Sequence, residues 1–163
     1  MPISTFYDHE SNWLAAVLTV LQNGGTGVPT ANIQIAQSMT ISRSPRIEVE
    51  VESDEQASEQ MGKVTGGEWF YSHRAATIIT RIVTNRTAAT AQNHGSIRAR
   101  VRWLFSREAQ KFISPAVTLY QTLDIQSQSS VFVRDPDEDR EDVTEIRHRI
   151  EYGIIGSIVP TVW

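Results

Sequence analysis

The segment Arg46–Glu52 constrains the fold most, because its side chains alternate strictly between two chemical classes. In an extended chain, successive side chains point to opposite faces. The apolar face and the acidic face of this segment are Ile47, Val49 and Val51 against Glu48, Glu50 and Glu52. The pattern predicts a strand with one buried and one wet face, so other parts of the chain must cover the buried face.

Two helices and a long strand are predicted around this segment. Apolar residues in Thr5–Gln22 recur three and four positions apart, as in an amphipathic helix. Glu68–Asn85 is rich in β-branched and aromatic residues, which indicates a strand covered on both faces or a long strand with a bulge. Asn93–Phe112 is assigned to a second helix capped by Asn93 or Ser96, although its first half also alternates like a strand.

Shorter apolar segments complete the set of predicted strands. Ile33–Ile41 mostly alternates, and Leu119–Ile125, Ser130–Arg134 and Val143–Ile154 also have strand character. The polar run Asp135–Asp142 then forms the acidic tip of a late hairpin. The sequence therefore predicts an α+β fold: a twisted, mostly antiparallel sheet with two helices packed on one face.

Length and composition favour one soluble domain over residues 1–163. A chain of 163 residues with 40% apolar residues can bury about two thirds of its unfolded surface, so it needs no metal or disulfide. The absence of cysteine excludes a disulfide scaffold and a cysteine nucleophile. The apolar run Trp13–Leu21 lacks the flanks of a signal peptide and is too short to span a bilayer, so no membrane association is expected.

No local motif indicates catalysis or metal binding. Gly24–Gly27 follows a predicted helix, where a phosphate-binding loop would precede one, and is interpreted as a helix C-cap and connector. Asp135 begins a segment like a calcium loop, but the sixth and twelfth positions are Arg140 and Ile146 instead of Gly and Glu. We therefore predict no catalytic residue, no cofactor, no metal site and no enzyme. The alternative from that class is a small enzyme or ligand-binding module whose pocket buries His73, His148, Tyr71 or Tyr152.

Charge is strongly segregated along the chain. Arg46–Gln60 has six acidic residues and one basic, Ser72–Lys111 has eight basic and one acidic, and Arg134–Glu151 has eight acidic and four basic. The formal net charge of -4 conceals this division. Three interpretations stay open: nucleic-acid binding by the basic helix, pairing of the charges within one subunit, and self-assembly between a basic and an acidic surface.

The order of predicted elements resembles the tail-terminator and tail-completion proteins of long-tailed bacteriophages. The resemblance rests on the long N-terminal helix, the early strand pair, the long central strand, the second helix with Trp103-Leu104-Phe105, and the alternating final strand Ile146–Ile154. It covers nearly the whole chain and concerns architecture and size.

This resemblance implies a non-enzymatic virion protein, assembled in the host cytoplasm, that forms a homo-oligomeric ring, as a hexamer. Such a ring caps the tail tube, stops its polymerisation and joins the head–tail connector protein, while DNA passes through the lumen without specific binding. The alternative role is another neck or tail ring component, as a head–tail adaptor or tube subunit. Candidate subunit-interface residues are Arg98, Arg102, Asp135, Asp137 and Asp139. Candidate lumen or interface acids are Glu48, Glu50 and Glu52.

Overall fold

A computed structural model describes six stretches of the chain, residues 9–36, 44–64, 67–85, 88–106, 121–134 and 141–158. A short 3-10 helix, Thr30–Asn32, precedes the first strand. The other elements, in chain order, are α1 (His9–Asn23), β1 (Ile33–Ile35), β2 (Arg46–Val64), β3 (Gly67–Asn85), α2 (Ala88–Leu104), β4 (Gln121–Arg134) and β5 (Glu141–Ile158).

The strands form one five-stranded sheet in the order β1-β2-β3-β5-β4. β1 runs parallel to β2, and every other neighbouring pair is antiparallel. The predicted α+β fold with a mostly antiparallel sheet is thus confirmed. β3 and β5 form the middle of the sheet, with uninterrupted pairing from Glu68 opposite Ile158 to Asn85 opposite Glu141.

Each strand that flanks this central pair contains two bulges. In β2 they fall between Val51 and Ser53 and between Gln56 and Ser58. In β4 they fall between Thr122 and Asp124 and between Ser127 and Ser129. The bulges of both strands lie at the same two levels of the sheet, the rows of the central pairs Ile78–His148 and Arg74–Tyr152.

The sequence left open whether Glu68–Asn85 is covered on both faces or contains a bulge. Over residues 75–84 the first alternative is confirmed, because Ile78 on one face of β3 and Ile79 on the other are both buried. The bulges lie in the neighbours of β3.

Both helices cover one face of the sheet, as predicted, and the core lies between them. α1 packs against β1, β2 and β3, and α2 packs against β3 and β5. Alternate residues of β3 and β5 point into this core. The core combines apolar residues of the helices and the sheet, among them Trp13, Val17, Leu21, Ile47, Val49, Ile78, Ile82, Ile97, Val101, Phe105, Ile146 and Ile150.

The glycines after α1 act as the predicted connector. Gly25 has φ +64°, a left-handed conformation that L-residues with a side chain rarely adopt, and Gly27 has φ +85°. Gly24 lies so close to the end of α2 that an added Cβ would meet the side chain of Leu104. This connector therefore ends α1 and lets the two helices approach each other.

Several predicted boundaries are wrong. α2 begins at Ala88, so Asn93 and Ser96 lie inside the helix and do not cap it. The alanines at its start are strong helix formers, which explains the earlier beginning. β2 extends well past Glu52 because it is held by pairing with β3 rather than by its own apolar pattern. β4 is one continuous strand where two segments were predicted, and residues 5–8, 37–41 and 107–112 of the predicted elements lie outside the described residues.

Candidate assembly interface

The sheet face opposite the helices is lined by arginines and glutamates of three strands. Arg81 on β3 links its two neighbours, because one guanidinium nitrogen lies 3.3 Å from a Glu48 oxygen and another 3.2 Å from a Glu145 oxygen. A third carboxylate, that of Glu50, lies 3.6 Å away. Burial alone would lower the pKa of Arg81, but hydrogen bonds to Glu145 and Glu48 raise the pKa above its ordinary value. The guanidinium is therefore a fixed cation that ties β2 to β5.

The same pattern continues on both sides of Arg81. Its other members, with their closest distances, are Arg46–Glu48 at 2.8 Å, Arg46–Glu141 at 3.2 Å, Arg147–Glu145 at 3.0 Å, Arg147–Glu52 at 3.2 Å and Arg149–Glu151 at 3.2 Å. These side chains are partly exposed, so each pair contributes only about 0–1 kcal/mol. We call this set the ion-pair face.

The three candidate lumen acids lie together on this face, as the alternation predicted. Glu48 is the most enclosed, with 16% of its side chain exposed, while Glu50 and Glu52 are exposed to 39% and 41%. Each has an arginine of the same chain within 4.0 Å. Pairing within one subunit therefore accounts for these charges in the isolated chain, and their place in a lumen or contact stays a prediction.

The other candidate cations lie on the outer face of α2. Arg102 is exposed and Arg98 half-buried, and the two are one turn apart on the same flank. Trp103 is the next residue along the helix and is exposed to 40%. The guanidinium carbon of Arg100 lies 4.6 Å from the Trp103 ring centre, while its Nε donates to the carbonyl of Gly24 at 2.7 Å. Arg100 is two positions from both Arg98 and Arg102 and therefore points to another side of the helix. We call the side with Arg98 and Arg102 the α2 face; sequence reasoning found these two residues but not the stacking of Arg100 on Trp103.

The acidic partners proposed for this surface are not placed by the structure. Asp135, Asp137 and Asp139 lie outside the described residues. The strands on either side of them, β4 and β5, are paired up to Arg134 and Asp142. The predicted hairpin is thus confirmed, whereas the contact between its tip and the α2 face stays a prediction.

A buried polar cluster that the sequence did not predict lies at the second bulge row. The hydroxyl of Tyr152 donates to the two carboxylate oxygens of Asp54 at 2.8 and 2.9 Å. The Nε of Arg74 reaches the same carboxylate at 3.2 Å and the Tyr152 oxygen at 3.3 Å. Burial, and then the hydrogen bond to Asp54, raise the pKa of Tyr152. Trp13 covers the ring of Tyr152, with the ring centres 5.0 Å apart, so this cluster fixes α1 to the sheet.

Two histidines are buried where α2 meets the sheet. His94 lies within α2, and its ring nitrogens bond the hydroxyls of Thr84 at 2.8 Å and Thr144 at 2.7 Å. His148 is fully buried against Phe105, with ring centres 4.2 Å apart. Burial lowers the pKa of His148 to about 3, and Arg102 adds to the effect. Burial also lowers the pKa of His94, and Arg98 adds to that effect while Asp142 opposes it.

Within the part of the chain that the structure describes, no three His, Asp or Glu side chains come together in a way that could hold a metal ion. His73 lies 3.6 Å from Glu151 at the edge of the ion-pair face. Neither described helix has the length and apolar content needed to cross a bilayer.

The chain is similar to chains of known structure. No family model matches the chain, and no curated protein matches it. Among solved structures, the chain is similar to one from a structure titled "Virion of native gene transfer agent (GTA) particle". The similarity covers 86% of each chain at 12% sequence identity, with a TM-score of 0.43.

Proposed function

We propose that this chain is a structural virion protein of the head-to-tail junction. It forms a homohexameric ring that caps the tail tube, stops tube polymerisation and joins the tube to the head connector. The observation that carries the proposal is the element order α1-β1-β2-β3-α2-β4-β5. This is the order on which the resemblance to tail-terminator and tail-completion proteins rests.

The length of the sheet supports a role that links two partners. β2 and β3 have 19 residues each, which corresponds to about 60 Å of extended chain. A compact chain of this size would be only about 40 Å across. The two ends of the β2–β3 pair are therefore far enough apart to contact different partners.

The charges of the sheet support passage of DNA without retention. Arg46, Arg81, Arg147 and Arg149 are each held by carboxylates of the same chain. Their guanidinium groups are therefore already neutralised, and the net charge of -4 opposes approach to phosphate. The proposal accordingly predicts negligible affinity for duplex DNA.

The experiment is to measure the mass and shape of the assembly directly. Native mass spectrometry and negative-stain images of the purified protein at low salt should give closed hexameric rings. A second sample, mixed with isolated tail tubes of the same virion, should place rings at tube ends. Monomers in both samples would overturn the proposal, and long filaments of the pure protein would replace it with a tube-subunit role.

A further inference from the structure

The sheet ends on each side in a strand whose outer edge is open among the described residues. β1 pairs with β2 only at Ile47–Val49. Along residues 51–64, β2 is paired with β3, and the structure describes no strand on its other side. β4 is paired with β5, and the structure describes no strand beyond it. The backbone N–H and C=O groups of such an edge can pair with a further strand.

The two open edges complement each other in direction and length. β2, β3, β5 and β4 alternate in direction, so β2 and β4 run antiparallel to each other. All subunits of a ring point the same way along its axis, so β4 of one copy beside β2 of the next makes another antiparallel pair. Residues 51–64 are as many as the 14 residues of β4, and each stretch contains two bulges. We infer that β4 of one copy pairs with residues 51–64 of the next, an inference that rests on the proposed ring.

Side chains keep their faces across this junction. With the two stretches aligned over their full length, Arg134 of one copy lies opposite Val51 of the next. Arg134 occupies the row of Thr84 on β3, and Val51 occupies the row of Ile78, so the offset between copies is six rows. Side chains alternate with a period of two, so an even offset makes the helix side and the ion-pair face of each copy continuous with those of the next.

The size of the offset agrees with a closed sheet. Six rows correspond to about 20 Å along the strands, and four strands span about 19 Å across them. The strands are then inclined to the ring axis by about 45°, at the upper end of the range of about 35–45° that is typical of barrels. Without the offset, β1 of the next copy would lie beside β4, because β1 occupies the rows of Thr80 to Ile82. With the offset, β1 lies beyond the end of β4.

The helices determine which face lies inside the ring. Both helices pack on one face of the sheet, and the outside of a closed sheet has the larger circumference. The ion-pair face therefore lines the inside, with Glu48, Glu50 and Glu52 of every copy around the lumen. Six copies contribute about 24 strands, and barrels of about 16–18 strands already enclose a water-filled channel.

Bulges and charges can also serve to keep edge strands from pairing. In this sheet the bulges are equal in number on the two edges, so they leave the edges complementary to each other. Proline, which blocks an edge outright, is absent from residues 51–64 and from 121–134. Val131 on β4 is an apolar side chain exposed to 48%, and pairing along this edge would cover it.

Disulfide cross-linking tests the pairing directly, because the chain contains no cysteine of its own. Counted past the bulge at Glu52, Val131 of one copy lies opposite Glu55 of the next, and both side chains are exposed. Directly opposite residues have Cβ atoms about 5 Å apart, close to the spacing in a disulfide. Within one copy, two strands separate β2 from β4, a distance of about 14 Å, so this link forms only between copies.

Glu55→Cys combined with Val131→Cys should give, on mild oxidation, a ladder of covalent oligomers that a reductant returns to single chains. The matched control combines Val131→Cys with Gln56→Cys, because Gln56 is the exposed neighbour of Glu55 but points to the other face; it should cross-link at least tenfold less. Circular dichroism checks that each variant folds. Covalent dimers of Val131→Cys alone, or of Glu55→Cys alone, would overturn the inference in favour of a two-fold contact between like edges.

Native mass spectrometry of the wild type, free and bound to tail tubes, separates this inference from the proposed function. Closed rings without a cross-link between positions 55 and 131 above the control would overturn the strand pairing and leave the ring intact. A cross-linked ladder from open filaments would support the pairing and overturn the ring. Monomers without cross-links would overturn both.

Discussion

Replacing His148 should change how the stability of the protein depends on pH. The side chain is fully buried against Phe105, and its pKa is lowered from 6.5 to about 3. The unfolded chain therefore binds a proton below pH 6.5 that the folded chain does not bind. The resulting stabilisation is complete above pH 6.5 and is lost as the pH falls towards 3. One pH unit corresponds to about 1.4 kcal/mol, so about 3 kcal/mol should be lost by pH 4.5.

The assay is urea unfolding, followed by circular dichroism, at several pH values between 7 and 4.5. His148→Phe and His148→Gln both remove the titrating group, one with an apolar ring and one with a neutral amide. Each has its own effect on packing at pH 7, but both should abolish the same share of the acid-induced loss. A free-energy difference between wild type and variants that stays constant from pH 7 to pH 4.5 would refute the reasoning. A histidine titration near 6.5 in the folded protein, assigned to position 148 by NMR, would refute it independently.

Three further predictions concern stability measured by thermal or urea unfolding. Gly24→Ala should destabilise the protein by about 1–3 kcal/mol, because the added Cβ would lie 2.7 Å from the carbonyl oxygen of Val20 and would also meet Leu104. Gly95→Ala should instead stabilise the protein by about 0.5–1 kcal/mol, because this position in α2 has open space around it. Tyr152→Phe should destabilise by about 1–3 kcal/mol, since it removes the hydroxyl that donates to a buried carboxylate; an unchanged stability would show that the cluster is not coupled to the fold. Arg81→Gln should have a smaller effect, about 1 kcal/mol, that shrinks as salt is raised, and a salt-independent loss would contradict the assignment to a partly exposed ion pair.

The sequence predicted the part of the sheet where side-chain alternation is regular. Ile47 and Val49 face the core and Glu48 faces outward, as the alternation required. Beyond that stretch the prediction fails at a bulge. Because one extra residue reverses which side chains face inward, Asp54 lies on the side of Ile47 and meets Tyr152. No pattern in the sequence indicates the bulge, so the buried cluster of Asp54, Arg74 and Tyr152 could not be predicted.

The ion-pair face illustrates a second limit. The acidic and basic segments were visible as blocks, but their pairing is between residues far apart in the chain, such as Arg81 with Glu48 and Arg147 with Glu52. Sequence order does not state which blocks become neighbours, because that depends on the β3–β5 pairing in the middle of the sheet. The α2 face was partly predictable, since Arg98 and Arg102 are one turn apart on any helix, whereas the stacking of Arg100 on Trp103 needed coordinates.

The paired bulges of β2 and β4 bend the sheet at two levels. β2 and β4 each contain two residues more than the stretch of the central pair that they accompany, about 7 Å of additional chain on each side. A bulge bends the strand that contains it and increases its local twist, so the sheet is not flat at these rows. Because the extra residues of β2 and β4 fall at the same two rows of the sheet, the bending is concentrated at those rows. The path of the sheet between the helices and the end at Val64 and Ile158 is therefore set by four inserted residues, and deleting one of them would change both that path and the face to which the following side chains point.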